Sequence, residues 1–144
     1  MLSKIQIPGQ RDTSVRSTVA QRAAASMLVV LCFELRNRAH ISHLQETGVG
    51  SYARHKALND YYERIVDYAD SFAEAFQGRY GILSYPMSQE LLEPNIGIVC
   101  SINAFRSWVD ANRASCGSEP ELQNLIDNIQ ALNNSTLYKL QNLE

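Results

Sequence analysis

The sequence predicts an all-α protein in which four helices form an antiparallel bundle. In four long segments apolar residues recur at intervals of three and four, which is the period of an amphipathic helix. The connections between these segments are short, and no segment shows a convincing strand pattern. The length of 144 residues fits one domain, and 45% apolar with 19% charged residues excludes a chain that is disordered throughout.

The first element is an extended arm over residues 1–12, which shows no periodicity. Thr13 or Ser14 is the predicted N-cap of a first helix that continues to about Gln45. The sequence thus predicts an arm followed by a bundle domain over residues 13–144. The buried stripe of the first helix contains Leu28, Leu31, Leu35, Ala39 and Ser42.

A second helix is predicted from about residue 52 to residue 76, between a turn with two glycines and a stop at Gly78. A short helical turn follows over residues 88–92, where Pro94 ends it. The third helix is expected over about residues 95–114.

The last helix begins with a predicted capping box over residues 118–121, in which Pro120 occupies an early helical position. Its apolar positions are Leu122, Leu125, Ile126, Ile129, Leu132, Tyr138 and Leu140.

Charge and cysteine content exclude several classes of protein. The 13 basic and 15 acidic residues give a net charge of −2, which does not favour DNA binding. Three cysteines without a C-x-x-C pair form neither a disulfide framework nor a zinc site, and they suit a reducing compartment. The longest apolar run, residues 23–33, is shorter than the roughly 20 residues that a bilayer requires. We therefore expect a cytoplasmic protein without a membrane partner.

Histidines and carboxylates provide the candidate site. His43 lies near the end of the first helix and His55 in the first turn of the second, while Asp70 and Glu74 follow one turn apart. Two imidazoles and two carboxylates suit Fe(II), and also Mn or Zn. Asp70 lies about 22 Å along the helix from His55, so one chain cannot place all four ligands around one ion. Either these four residues do not form a metal site, or two chains meet and each supplies two of the four ligands.

The pattern His-x11-His-x14-Asp-x3-Glu resembles the ferroxidase site of the Dps proteins, the small ferritin-like cages of starved bacteria. The resemblance covers residues 27–78, and the stretch HKALNDYYERIVDYADSFAEAFQGRYG is similar to Dps-like proteins encoded by bacteriophages. It implies a ferritin-like bundle that forms a homo-oligomer with two-fold interfaces. His43 and His55 would be iron ligands from one subunit, and Asp70 and Glu74 from its partner. The chain lacks the Glu-x-x-His pairs of intra-bundle di-iron sites, which favours the intersubunit version.

Three departures from the Dps pattern limit this expectation. Asn59 stands where the family has an acid, so a second metal position should be weak or absent. Leu44 replaces the tryptophan that directly follows the first histidine, which would leave radical quenching to tyrosines such as Tyr61 or Tyr62. The arm contains few basic residues, so DNA compaction is not favoured.

Two functions therefore remain open. The first is a Dps-like protein that binds Fe(II) at an intersubunit site, with or without ferroxidase activity. The alternative is a non-catalytic assembly protein, such as a phage virion component, that keeps the bundle and uses its N-terminal arm to build a larger assembly.

Several residues also have simpler structural interpretations. The two histidines could be ordinary residues at a helix end and a helix start, and His40 a surface or supporting residue. Cys32 is expected in the core, and Glu34 in a solvated position or an interface. The tyrosines of the second helix are expected in the core or an interface: Tyr61, Tyr62 and Tyr68.

Overall fold

The computed structural model describes residues 17–87 and 91–144. Within these ranges the secondary structure is helical and contains no strand, so the predicted all-α class is confirmed. The elements are α1 (Val19–Gln45), α2 (Ser51–Tyr80), α3 (Ile98–Asn112), a 3-10 turn (Arg113–Ser115) and α4 (Pro120–Asn142). The predicted arm lies outside the described residues. The predicted N-cap of the first helix at Thr13 or Ser14 was wrong, because Thr18 is the N-cap of α1 and residues 17 and 18 are not helical.

The four helices pack as a ring around one core. α1 packs against α2 and α3, and α4 packs against the same two helices. α1 and α4 therefore lie diagonally opposite each other. The core contains Leu28, Leu35, Leu58, Tyr61, Ile65, Phe72, Phe76, Ile102, Phe105, Leu122, Ile126 and Ile129. Cys32 is buried among these side chains, as predicted.

A long connection over residues 81–97 joins α2 to α3, where the sequence predicted a short one. It begins beside the start of α1, where the Arg22 guanidinium donates to two backbone carbonyls. It later reaches the second half of α1, where the Glu34 carboxylate accepts from the N–H groups of Leu91 (2.9 Å) and Leu92 (3.0 Å). The connection therefore crosses the bundle along α1.

This crossover determines the direction of the last two helices. α3 begins beside the second half of α1, because Arg38 Nη1 donates to Ser101 Oγ (3.2 Å). α4 begins beside the end of α2, where the Glu119 carboxylate accepts from Arg79 Nε (3.0 Å). α2 and α3 consequently run in the same direction, and each helix is antiparallel to the two helices it packs against.

Local hydrogen bonds set the start of α1, and the backbone conformation of a glycine sets the end of α2. The Thr18 hydroxyl accepts from the Gln21 N–H (3.0 Å), and the Gln21 side chain accepts from the Thr18 N–H (2.9 Å), so a capping box starts α1. The predicted stop of α2 at Gly78 was wrong. α2 continues to Tyr80 and ends at Gly81, whose φ of 95° is readily adopted only by glycine. A glycine such as Gly78 inside a helix costs only about 1 kcal/mol, which packing can offset.

Two predictions for the second half were also corrected. The capping box over residues 118–121 is absent, because Glu119 is the N-cap residue and its side chain makes no cap hydrogen bond. Its carboxylate instead binds residues at the end of α2. Pro120 is the first helical residue, as expected. Leu91 and Leu92 are not helical, and the rest of the predicted turn, residues 88–90, lies outside the described residues.

A buried polar chain crosses the core between α2 and α4. The Tyr61 hydroxyl donates to Asn133 Oδ1 (2.8 Å), and Asn133 Nδ2 donates to Gln130 Oε1 (2.9 Å). Burial raises the pKa of Tyr61 well above its ordinary value. Tyr61 is therefore a core residue that stays protonated.

No helix among the described residues combines the length and the apolar character that a membrane span needs.

Candidate metal centre

The histidine pair, His43 and His55, lies where α1 ends and α2 begins. The connecting turn reverses the chain with the help of Gly48 (φ 88°) and Gly50 (φ 75°), both in the left-handed region. The two imidazole rings stack with their centroids 3.6 Å apart and an interplanar angle of 23°. The turn thus brings together the two histidines that the sequence predicted as metal ligands.

Each ring of the histidine pair is bonded to the backbone of the other residue. His43 Nδ1 lies 2.9 Å from the carbonyl oxygen of His55, and His55 Nδ1 lies 3.0 Å from that of His43. A carbonyl oxygen only accepts, so Nδ1 carries the proton in both rings. In a neutral imidazole, Nε2 then has a free lone pair. This is the tautomer that metal-ligating histidines commonly adopt when a carbonyl orients them.

The Nε2 atoms of the pair have no partner among the described residues. His43 as a residue is only 8% exposed. Among the side-chain atoms of the described residues, only Glu119 Oε2 is both fully buried and without a hydrogen-bond partner. The two Nε2 atoms are therefore not fully buried. The Nε2 atoms are therefore the ring nitrogens that the described residues leave without a partner.

The same bonds also have a structural effect. The carbonyl of His43 belongs to the last turn of α1, whose carbonyls have no partner within the helix. The His55 ring satisfies this carbonyl and thereby fastens α1 to α2. The structural interpretation of the two histidines accounts for their Nδ1 atoms but leaves their Nε2 atoms without a role.

Tyr62 and His40 border the histidine pair. The rings of Tyr62 and His40 stack with centroids 4.1 Å apart, and Tyr62 meets His43 edge-on at 5.3 Å. The Tyr62 hydroxyl donates to Asn59 Oδ1 (2.7 Å). The oxygen at the position where the Dps pattern has an acid is therefore uncharged and already hydrogen-bonded.

Asp70 and Glu74 lie further along α2 and are exposed. Neither forms an ion pair with a lysine, arginine or histidine in the described ranges. Tyr85 of the crossover lies near Asp70: burial first, and then the negative charge of Asp70, raises the pKa of this tyrosine. The side chains of Asp70 and Glu74 are thus open to solvent and without a cationic partner in the described structure.

One chain does not bring the histidines and the carboxylates together. Asp70 follows His55 by fifteen residues in one continuous helix, which corresponds to about 22 Å. Among the described residues no group of three or more His, Cys, Asp or Glu side chains could hold a metal ion. Each chain therefore presents two separate pairs of potential ligands.

Sequence reasoning missed the role of Glu34. The carboxylate is only 10% exposed, forms an ion pair with Arg38 (3.1 Å) and holds the crossover through two backbone N–H groups. An acid within an apolar helix was the available signal. Its partners could not be identified, because they lie more than fifty residues later in a segment without periodicity.

A family model described as "Family of unknown function (DUF5856)" matches residues 43–140, which is more than half of the chain. The match begins at His43 and includes all four predicted ligands. No curated protein and no solved structure matches the chain.

Proposed function

The chain belongs to the DUF5856 family, whose function is unknown, and for this chain we propose the function of a Dps-like iron-binding protein. Its sites would form across a two-fold interface between two copies. His43 and His55 of one copy and Asp70 and Glu74 of the other would bind Fe(II). Mn or Zn would suit the same set of ligands.

The histidine pair is the observation that carries this proposal. Its Nδ1 atoms are bonded to carbonyls at 2.9 and 3.0 Å, which orients both rings and leaves the Nε2 lone pairs unoccupied. Preoriented imidazoles lose little rotamer freedom when they bind an ion. Two nitrogens cannot complete the coordination of Fe(II), so the remaining ligands must come from elsewhere.

The exposed carboxylates of Asp70 and Glu74 are the proposed source of the remaining metal ligands. Asp70 and Glu74 are one turn apart and can approach one ion from a single helix. They lie too far along α2 to reach the histidines of their own chain. A two-fold axis exchanges the two halves, so each interface would contain two equivalent sites.

The outer face of α1 supports an assembly. At 100° per residue, eight residues of this helix fall within a sector of about 80°, and none of them is charged. Three apolar members are strongly exposed: Val19 (87%), Ile41 (57%) and Leu44 (73%). The full set, of which Ser26 alone is buried, is Val19, Ala23, Ser26, Val30, Phe33, Asn37, Ile41 and Leu44. A solvated helix normally carries charges on this face, so its apolar character favours contact with another subunit.

The helix directions support a ferritin-like bundle. Up-down bundles have short connections throughout, whereas ferritin-like bundles have one long crossover between the second and third helices. Residues 81–97 form such a crossover, and α2 and α3 run in the same direction.

Oxidation of the bound iron would require an oxidant such as hydrogen peroxide. Each Fe(II) loses one electron, and peroxide accepts two while its O–O bond breaks and two protons convert both oxygens to water. One peroxide therefore oxidises two ions. Asn59 offers only a neutral oxygen already bonded to Tyr62, so we expect the second ion of each site to bind weakly.

Complementation between two variants tests the intersubunit site. His43→Ala and Asp70→Asn should each bind little Fe(II) when purified alone. In a mixed dimer, one site carries both substitutions and the other carries none. Co-expression should therefore restore about a quarter of the wild-type sites, if the chains mix at random. Anaerobic Fe(II) titration measures the sites, and analytical ultracentrifugation checks the assembly.

Asp67→Asn is the matched control, because Asp67 is an exposed carboxylate of the same helix outside the proposed set. It should bind as the wild type does. The proposal fails if His43→Ala or Asp70→Asn binds normally, or if mixing restores nothing.

The alternative remains a non-catalytic assembly protein. The histidine rings fasten α1 to α2 without a metal, and the uncharged face of α1 suits subunit contact in either case. This alternative predicts that removal of residues 1–12 breaks the assembly while metal removal has no effect. A truncated chain that assembles normally contradicts it.

A further inference from the structure

The side chain of Gln77 links the crossover to α2. Its Oε1 atom accepts two hydrogen bonds, from the Leu83 N–H (3.1 Å) and from the Tyr85 hydroxyl (2.9 Å). A backbone N–H can only donate, so Oε1 is identified as the oxygen and the orientation of the amide is determined. The Nε2 group, with its two donors, faces away from these partners.

The Nε2 group of Gln77 has no acceptor among the described residues. Gln77 follows Glu74 by three residues and Asp70 by seven, so the three side chains share one flank of α2. Tyr85, which holds the amide, also lies near Asp70, whose charge adds to the effect of burial in raising the pKa of the phenol. An oriented donor therefore lies on the same flank of α2 as the two exposed carboxylates.

We propose that Gln77, held by Leu83 and Tyr85, is a positioning residue of the acidic half of the metal site. Its Nε2 group donates to the Glu74 carboxylate when that carboxylate binds a metal ion. This inference rests on the proposed function, since it needs Asp70 and Glu74 to be ligands. Carboxylate ligands are themselves commonly hydrogen-bonded, and loss of such a partner weakens metal binding about 10- to 100-fold.

The crossover would thereby contribute to the site without touching the metal. Arg22 holds the start of the same segment through the carbonyls of Tyr80 and Ile82, and Leu83 is buried. Gln77 therefore receives its two bonds from backbone and side-chain atoms that the bundle keeps in place.

Titration of the full-length assembly with Zn²⁺, which undergoes no redox reaction, tests the role of Gln77. Gln77→Met keeps the approximate size of the side chain but removes the amide, and Tyr85→Phe removes only the hydroxyl. Both should weaken Zn²⁺ binding about 10-fold or more. Both should also shift the visible spectrum of bound Co²⁺, because the carboxylate geometry changes.

Arg22→Met is the matched control. It releases the same segment at Tyr80 and Ile82 but removes no atom that bonds to Gln77. It should lower the melting temperature without changing Zn²⁺ affinity or the Co²⁺ spectrum. Equal weakening by Arg22→Met would mean that order in the crossover, rather than the amide, sets the affinity, and would overturn the inference.

Two further outcomes separate this inference from the function on which it rests. Normal Zn²⁺ binding by Gln77→Met, together with loss of binding in His43→Ala, overturns the role of Gln77 alone. Absence of Zn²⁺ binding in the wild-type assembly overturns both.

Discussion

The two ends of the α1–α2 pair use their polar groups in opposite ways. At the histidine end, His43 and His55 each bond one ring nitrogen to the backbone and leave the other without a described partner. At the opposite end, Glu119 Oε1 accepts from Arg79 Nε (3.0 Å) and from the Tyr80 hydroxyl. Glu119 Oε2 is buried and has no hydrogen-bond partner in the described structure.

The two ends contain two kinds of polar atom without a described partner: a buried oxygen at the Glu119 end and ring nitrogens at the histidine end. Glu119 Oε2 is buried, so a ligand cannot reach it, and a Cβ at the neighbouring Gly117 would lie only 3.1 Å away. Its burial is a cost that the surrounding bonds offset. The Nε2 atoms of the histidine pair also lack a described partner but are not fully buried. The Glu119 end is therefore structural, whereas the histidine end keeps the two nitrogen atoms that the proposed function requires.

The largest expected effect is stabilisation by metal at the histidine end only. Zn²⁺ at about 100 times its dissociation constant should raise the free energy of unfolding by about 2.7 kcal/mol. The rise should disappear in His55→Ala and persist in Glu119→Ala. Thermal or urea unfolding with and without Zn²⁺ measures it, and an equal rise in both variants would remove the distinction between the ends.

A smaller effect should appear when Glu119 is replaced. Glu119→Ala leaves the partly buried Tyr80 hydroxyl without its acceptor, so we expect a loss of about 1 kcal/mol of stability and unchanged metal affinity. Burial raises the pKa of Glu119, but bonds from Tyr80 and Arg79 outweigh it, and the net pKa is lowered.

The sign of the pH dependence follows from that lowered pKa. Below the folded-state pKa of Glu119 the carboxyl is protonated in both states, and its extra stabilisation is lost. The stability difference between wild type and Glu119→Ala should therefore be larger at pH 7 than at about pH 3. Urea unfolding at both values checks this, and a difference that grows on acidification contradicts it.

The smallest effect concerns the charge beside the histidine pair. Asn59→Asp keeps an oxygen that can accept from the Tyr62 hydroxyl and adds the missing negative charge. We expect the second metal ion of each site to bind about 10-fold more tightly, in line with the usual effect of such a partner. Isothermal titration should show a higher stoichiometry than in the wild type. An unchanged stoichiometry would mean that Asn59 does not face the ion.

Local sequence determined the helices because its signals act within a few residues. The period of apolar residues placed all four helices, and Pro120 marked the start of α4. The end of α2 was misplaced, because Gly78 and Gly81 carry the same local signal. Only the backbone conformation at Gly81, set by the crossover that follows, separates them.

For the candidate site, too, some features follow from local sequence and others only from the packing of the helices. The sequence by itself determined that His43 and His55 flank one turn and that Asp70 and Glu74 share a face, since both follow from spacing along helices. Only the tertiary structure decided that the histidine rings stack and orient each other, and that Gln77 is held by the crossover. Such contacts join segments without a common period, so they depend on how the helices pack, which no local pattern records.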